Sequence, residues 1–282
     1  MITFQSMLVG VIGFGQMGSG IAQVCAIKGY RTFVYDENKD ILEKNLEKLK
    51  NQLSQLVDRG KLTMDQYARF QENLTLKTEL GDLEKCDLIV EAIVEDPQSK
   101  AKLFERISSF TSKIIATNTS SISITWLSRF VKRPERFIGI HFMNPVPVMK
   151  LVEIIKGLQT GTETLNQAVN FVKSLEKEPV LAPDIPGFLV NRILVPMILE
   201  AIKLFEHGVD KNHIDQAMKL GANHPMGPLE LADFVGLDTL LYLADYIHSE
   251  TRDPKFIAPN TLRRYVDAGW LGRKTGRGFY DY

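Results

Sequence analysis

Residues 137–155 read FIGIHFMNPVPVMKLVEII. Two apolar, β-branched runs flank a loop with two prolines and an asparagine, and each run holds one titratable side chain, His141 and Glu153. A neutral imidazole is suited to take a proton near pH 7. A carboxylate on its other ring nitrogen fixes the tautomer and stabilises the imidazolium that forms. The two can meet if MNPVPVM folds the chain back on itself, a task that Pro and Asn suit. Taken alone, the pair fits better a buried histidine bonded to backbone and a glutamate on a solvent-facing edge. What lies upstream reverses that preference.

Upstream, LVGVIGFGQMGSGIAQVCAIKGYRTFVYDEN places Gly13, Gly15 and Gly18 between a strand pattern and a helix pattern. In such a loop the first glycine permits a tight turn. The second lets backbone approach a pyrophosphate at the helix N-terminus, and the third lets the helix pack on the sheet. Three spaced glycines are weak alone. Here Asp36 ends the following strand at the expected distance, about 20 residues on. A carboxylate there binds an adenosine ribose and repels a 2′-phosphate, so the pattern points to NAD rather than NADP. The competing role for Asp36 is that of a turn residue or helix cap. With NAD present, proton removal by His141 becomes the partner of hydride removal from an alcohol carbon.

Further polar residues fall at strand exits, where ligands bind in open α/β sheets. Glu91 and Glu95 fall at or just beyond the carboxyl end of the strand in LIVEAIVE, as ligand contacts or loop charges. Asn118, Thr119, Ser120 and Ser121 follow IIAT, as caps of the next helix, ligand contacts, or both. Asn191 lies among apolar neighbours in FLVNRIL, either bonding locally or holding substrate in a cleft between domains. Arg192 beside it reads as solvent-facing or salt-bridged.

Two regimes organise the 282 residues. From Met7 to about Pro183, the runs LVGVIG, RTFVYD, DLIVEA, KIIAT, RFIGIHF and KLVEII read as buried parallel strands separated by helices. This predicts an α/β domain with a doubly wound, Rossmann-like sheet over residues 1–183. Residues 38–74 have helical spacing and predict a helical hairpin inserted before a strand at Leu74 to Thr78. From Asp184 the pattern turns helical, beginning with a long helix that has Pro186 near its start and Gly208 at its C-terminal cap. Residues 184–282 are expected to form an all-α second domain, with one short strand possible at Gly278 to Tyr282.

Bulk composition is that of an ordinary globular chain, 44% hydrophobic and 24% charged. Lys plus Arg equals Asp plus Glu, which gives no electrostatic case for nucleic acid or an anionic membrane. No apolar run is long enough to span a bilayer. The first fifteen residues lack a basic leader, and two cysteines, Cys25 and Cys86, make no disulfide framework or zinc pattern. A reduced cytoplasmic location and no bound metal are the expectations.

The segments QMGSGIAQ, VEAIVE, NTSS, HFMNPVPVMKLVEII, DIPGFLVNRIL, KLGANHPMGPLELADFVGLD and GRKTGRGFYDY together resemble the L-3-hydroxyacyl-CoA dehydrogenase family. The likeness spans nearly the whole chain. It is strongest to the short, single-function bacterial branch that acts on 3-hydroxybutyryl-CoA. The resemblance implies reversible, NAD-dependent oxidation of (3S)-3-hydroxyacyl-CoA to 3-oxoacyl-CoA. It implies His141 as general base, Glu153 as its orienting carboxylate, Ser120 on the substrate oxygen, and Asn191 positioning substrate. It further implies Glu95, Lys100, Ser120 and Asn144 at the nicotinamide-ribose end of NAD, Asp36 at the adenosine ribose, and a homodimer through the helical domain. This sequence departs from the family at Phe14, inside the glycine loop, which is expected to crowd the cofactor edge. The inserted hairpin cannot be matched residue by residue. Lys44, Lys48, Arg59 and Lys61 stand only as candidates for the anionic end of CoA.

Two other classes compete. A dehydrogenase of a free hydroxy acid or sugar acid would not depend on the CoA handle. A non-catalytic NAD-binding protein could dispense with Ser120, His141, Glu153 and Asn191, all of which are present.

Overall fold

The computed structural model describes residues 7–282. The expectation of no basic leader falls partly on residues 1–6, outside the described residues. The chain divides after Asp184 into two compact units. Asp184 goes with the first because its carboxylate accepts Ile124 N–H at 2.8 Å, Thr125 N–H at 2.8 Å and the Ser123 hydroxyl at 3.1 Å.

The first unit is built on strands β1 (Leu8–Ile12), β2 (Arg31–Tyr35), β3 (Leu74–Lys77), β4 (Leu88–Glu91), β5 (Ile114–Thr117), β6 (Phe137–Phe142), β7 (Leu151–Ile155) and β8 (Glu178–Ala182). They form one sheet in the order β3-β2-β1-β4-β5-β6-β7-β8. Helices α1 (Gln16–Ile27), α2 (Lys39–Asp58), α3 (Met64–Asn73), α4 (Pro97–Phe110), α5 (Ile124–Leu127) and α6 (Thr162–Ser174) connect them. The sheet is Rossmann-like and doubly wound, as the alternation predicts. Chain order reverses between β1 and β4, so the crevice at their carboxyl ends is the switch point where ligands bind.

Two features differ from the sequence reading. KLVEII does not run parallel with its neighbours: β7 pairs antiparallel with β6, and β8 pairs parallel with β7. The prolines of the β6–β7 loop reverse the chain before it can make a crossover helix. Strand β8 was not predicted. It carries Pro179 and exposes Leu181, so it lacks the buried apolar run of an inner strand, and it sits at the sheet edge, where a missing N–H is tolerated.

The inserted hairpin is α2 and α3. The side chain of Asn38 caps α2 by accepting the N–H of Asp40 and Ile41. Thr63 and Gln66 form a reciprocal capping box on α3. Leu42, Leu49 and Leu53 recur down one face of α2 and, with Phe70 of α3, are buried in the same core as α1 and β1. The charges of both helices lie between these positions.

The second unit is helical: α7 (Val190–Glu206), α8 (Lys211–Gly221), α9 (Pro228–Val235), α10 (Leu237–Thr251) and α11 (Asn260–Asp267). The long helix starts later than Pro186 suggests. Gly187 and Phe188 hold φ of +80° and +48°, a left-handed step that no helix continues through. Its end is as read: Gly208 has φ +87°, its N–H reaches the Phe205 carbonyl, and Val209 N–H reaches that of Leu204, a Schellman closure. No strand forms at Gly278 to Tyr282. That tail is held by Asp233, which accepts Phe279 N–H and Tyr280 N–H at 2.9 Å and the Tyr282 hydroxyl at 3.1 Å. With the N–H groups of Phe279 and Tyr280 taken by that side chain, pairing there stops at a single isolated bridge, Arg277 with Asp281.

Candidate active site

The glycine loop separates three tasks. Gly13 sits at φ +89°, where a Cβ would lie 2.5 Å from the Ala92 carbonyl oxygen. A Cβ on Gly18 would lie 1.8 Å from the Gly13 carbonyl oxygen, so only glycine lets α1 pack there. A Cβ on Gly15 would meet no protein atom within 4 Å beyond its chain neighbours. Gly15 also caps α1, whose first N–H groups point outward there. That is the cradle a pyrophosphate fits.

Asp36 lines the same crevice, a cleft of about 550 Å³ that Gly13, Gly15, Ile41, Ile93 and Leu103 also border. One carboxylate oxygen accepts Phe14 N–H at 2.8 Å and the other accepts Asn38 N–H at 3.0 Å. Asp36 is therefore both a turn residue and a carboxylate facing the cleft. The helix cap is Asn38. Phe14 does not crowd the cofactor edge: its ring is fully buried in the core.

At the next strand ends a buried ionic network appears. The Lys100 ammonium, 1% exposed, lies 2.5 Å from Glu91 Oε1 and 3.4 Å from Glu95 Oε2. Glu91 also accepts Ile93 N–H at 2.7 Å and the Thr117 hydroxyl at 2.7 Å. Glu95 Oε1 accepts the hydroxyl of Thr119 at 2.5 Å and Ser120 N–H at 2.8 Å, with Ser121 N–H and both serine hydroxyls at 3.2 Å. Burial acts to raise the Glu95 pKa. The Lys100 charge and these hydrogen bonds outweigh it and hold the carboxyl below its ordinary value. Burial likewise acts to lower the Lys100 pKa, and the two carboxylates outweigh it and raise it. Ser120 is thus fixed by Glu95, and Glu95 by Lys100. The four polar residues of NTSS do not cap the next helix; Ser123 caps α5 instead, through Trp126 N–H.

His141 and Glu153 are direct register partners across the antiparallel β6–β7 pair. Nδ1 of His141 lies 2.7 Å from Oε2 of Glu153. The histidine is 7% exposed and the glutamate fully buried. A buried carboxylate beside Nδ1 favours the tautomer with the proton there and leaves Nε2 as the basic nitrogen. Two contacts tie the neighbourhood of this pair to the β5 exit and to the start of α1. Asn118 at the β5 exit accepts Phe142 N–H at 2.9 Å. Asn144, three residues past His141, accepts a hydrogen bond from the Gln16 amide at the start of α1, at 3.2 Å. Lys177 braces the reversing loop, donating to the Val146 and Met149 carbonyls at 2.6 and 2.7 Å. Asn191 lies in the second unit, as the second residue of α7. Arg192 is not salt-bridged there: its guanidinium donates to the Pro186 carbonyl at 3.4 Å and lies 5.8 Å from the Phe256 ring.

The two cysteines offer no competing chemistry. Both are buried, and burial pushes each thiol up to about 12.

A strand-end histidine with its own carboxylate, at the same carboxyl end of the sheet as the glycine loop, is an arrangement that suits oxidation of an alcohol. Residues 8–185 match the family model described as 3-hydroxyacyl-CoA dehydrogenase, NAD binding domain, and residues 187–282 match that described as 3-hydroxyacyl-CoA dehydrogenase, C-terminal domain. The chain belongs to the 3-hydroxyacyl-CoA dehydrogenase family. It is an NAD-dependent oxidoreductase of that family. A 3-hydroxybutyryl-CoA dehydrogenase of Bradyrhizobium diazoefficiens is 47% identical over 277 residues, 97% of this chain and 94% of that one. The crystal structure of M. tuberculosis FadB2 aligns with TM-score 0.96 at 40% identity, covering 98% of this chain and 99% of that one. The (S)-3-hydroxybutyryl-CoA dehydrogenase PaaH1 of Ralstonia eutropha aligns with TM-score 0.92 at 43% identity, with the same coverage.

The sequence did not expose everything. Thr117, Asn45 and Lys177 carry no motif. Glu91 was visible only as a strand-end charge. The spacing of Glu91 and Lys100 is nine residues, which no helix or strand periodicity flags. A lysine in step with the apolar positions Leu103, Phe104 and Ile107 of α4 was the available signal.

Proposed function

We propose that this chain catalyses the reversible oxidation of short-chain (3S)-3-hydroxyacyl-CoA, such as 3-hydroxybutyryl-CoA, to 3-oxoacyl-CoA. The observation that carries the reading is the in-register His141–Glu153 pair at the carboxyl end of the sheet, the end that also bears the glycine loop. NAD held there would supply the acceptor for the hydride that leaves C3 of the substrate. The residues of the chain supply the rest. Nε2 of His141 takes the hydroxyl proton, and Glu153 stabilises the imidazolium and holds the ring. Ser120, held through its N–H by Glu95, turns its hydroxyl proton from that carboxylate to the substrate oxygen when substrate binds. Asn191 positions the substrate. Gly15 and Asp36 would receive the pyrophosphate and adenosine ribose in a loop whose turn and helix packing Gly13 and Gly18 permit, while Glu95, Lys100 and Asn144 would set the nicotinamide-ribose end. Lys100 does so through Glu95.

The names of the similar enzymes support the CoA thioester and short chain. A homodimer through the second unit belongs to the same reading, as the family resemblance implies. A cytoplasmic location fits two free thiols and the fact that no described helix is long and apolar enough to cross a membrane. The deciding assay follows NADH absorbance with acetoacetyl-CoA beside free acetoacetate. Turnover of the thioester alone is expected. Equal turnover of the free acid, or activity surviving His141→Gln, would overturn the assignment.

A further inference from the structure

Asn45 lies in the second turn of α2, in the inserted hairpin, and its amide nitrogen donates to the Phe14 carbonyl at 2.7 Å. Phe14 is the residue between Gly13 and Gly15. Its own N–H is held by Asp36 at 2.8 Å. Both polar groups of this one loop residue are therefore fixed by side chains from outside the loop. A trans peptide is planar, with its C=O and N–H on opposite sides. Tying the Phe14 carbonyl toward α2 turns the Gly15 N–H the other way, away from the hairpin. That is the peptide at the position whose Cβ would meet no protein atom, beside the cleft bordered by Gly13 and Asp36.

We infer that Asn45 is a positioning residue for NAD: it sets the orientation of the Phe14–Gly15 peptide that receives the pyrophosphate, and so ties cofactor affinity to the inserted hairpin. It touches no cofactor atom itself. The effect is a preorganised donor: with the carbonyl unheld, the peptide can rotate, and binding must then order it. Leu49, four residues further along α2 and buried, supplies the hairpin with packing but makes no contact of this kind. The inference rests on the dehydrogenase reading only for its consequences in turnover, since its main readout is NADH binding without substrate.

The test compares Asn45→Ala and Asn45→Asp with Leu49→Ala. NADH dissociation constants are measured by fluorescence titration, and melting temperatures by circular dichroism. Loss of one neutral hydrogen bond predicts about a fivefold weaker NADH affinity for Asn45→Ala. Asn45→Asp keeps the shape but sets an acceptor against the carbonyl, and is expected to weaken NADH by more than the alanine does. At saturating NADH, kcat stays within about twofold of the parent, because the catalytic groups are untouched. Leu49→Ala is expected to melt earlier with an unchanged dissociation constant. If both Asn45 variants bind NADH as the parent does, or merely melt earlier like Leu49→Ala, Asn45 is a structural bond only and the inference falls. A parent protein that binds NADH but turns over no thioester would sink the substrate assignment and leave the inference to be decided by the same titrations. A parent that does not bind NADH would sink both.

Discussion

Replacing Glu153 with Gln is expected to lower kcat by about 10²–10³ while NADH affinity stays within about twofold. The His141 and Glu153 heavy atoms are 2.7 Å apart and both side chains are buried, so solvent screens the pair little. With charge centres about 4 Å apart and an effective dielectric near 20, a full imidazolium would gain about 4 kcal/mol from the carboxylate. With about half the charge formed in the transition state, about 2 kcal/mol is lost on neutralisation, roughly 30-fold in rate. The tautomer adds to this. A glutamine amide can donate to Nδ1, which moves the ring proton to Nε2 and blocks the base. A general base is worth about 10²–10⁴ when fully lost. Gln keeps the shape and removes a buried charge, so the melting temperature should not fall. Steady-state kinetics with acetoacetyl-CoA, NADH titration and thermal melting together read all three quantities. A variant within fivefold of the parent kcat would refute the reasoning. So would a loss of NADH affinity that matches the loss of rate.

Lys100→Met leaves the fully buried Glu91 without its ammonium partner and is expected to cost about 3–5 kcal/mol in urea unfolding. Because the folded pKa of Glu95 is lowered from 4.5, its contribution to stability is full above that value and is lost as pH falls through the folded one. Unfolding curves taken on acidification should show that loss in the parent and a shallower one in Glu95→Gln; equal slopes would refute it. Gly15→Ala is expected to leave the melting temperature unchanged and to weaken NADH at least tenfold, whereas Gly18→Ala should destabilise by about 3 kcal/mol or more, since its Cβ would overlap backbone. Similar melting of the two variants would contradict the division of roles. Asp233→Ala is expected to free the C-terminal tail to limited proteolysis, because three hydrogen bonds to residues 279–282 are lost together; a tail as resistant as the parent's would show that packing alone holds it.

Much of the first unit was legible because its signals are local. The glycine spacing, the carboxylate just past β2 and the apolar strands set by alternation with helices each lie within about 30 residues of sequence. His141 and Glu153 were legible for a related reason. They flank one short reversing loop, and an antiparallel pair fixes register from the turn outward. Once Pro145 and Pro147 stop the chain from continuing, the two can lie opposite each other.

Tertiary structure alone decided what local patterns could not carry. Strand β8 is invisible because an edge strand needs neither alternation nor a complete set of N–H donors. The direction of β7 depends on how a proline loop turns, not on the composition of LVEII. Phe14 looked like a cofactor contact from its place in the loop. Its ring is buried because α2 and the core behind the loop take it in. The Glu91–Lys100–Glu95 network joins a strand, a loop and a helix, and Asn45 reaches Phe14 across 31 residues. Such bonds form only after hydrophobic burial has brought their elements together, and in a low-dielectric interior each polar group must then find a partner. The sequence by itself determined which chemistry the chain carries, because that chemistry needs particular residue types at particular strand ends. Packing decided which neighbours hold those residues in place.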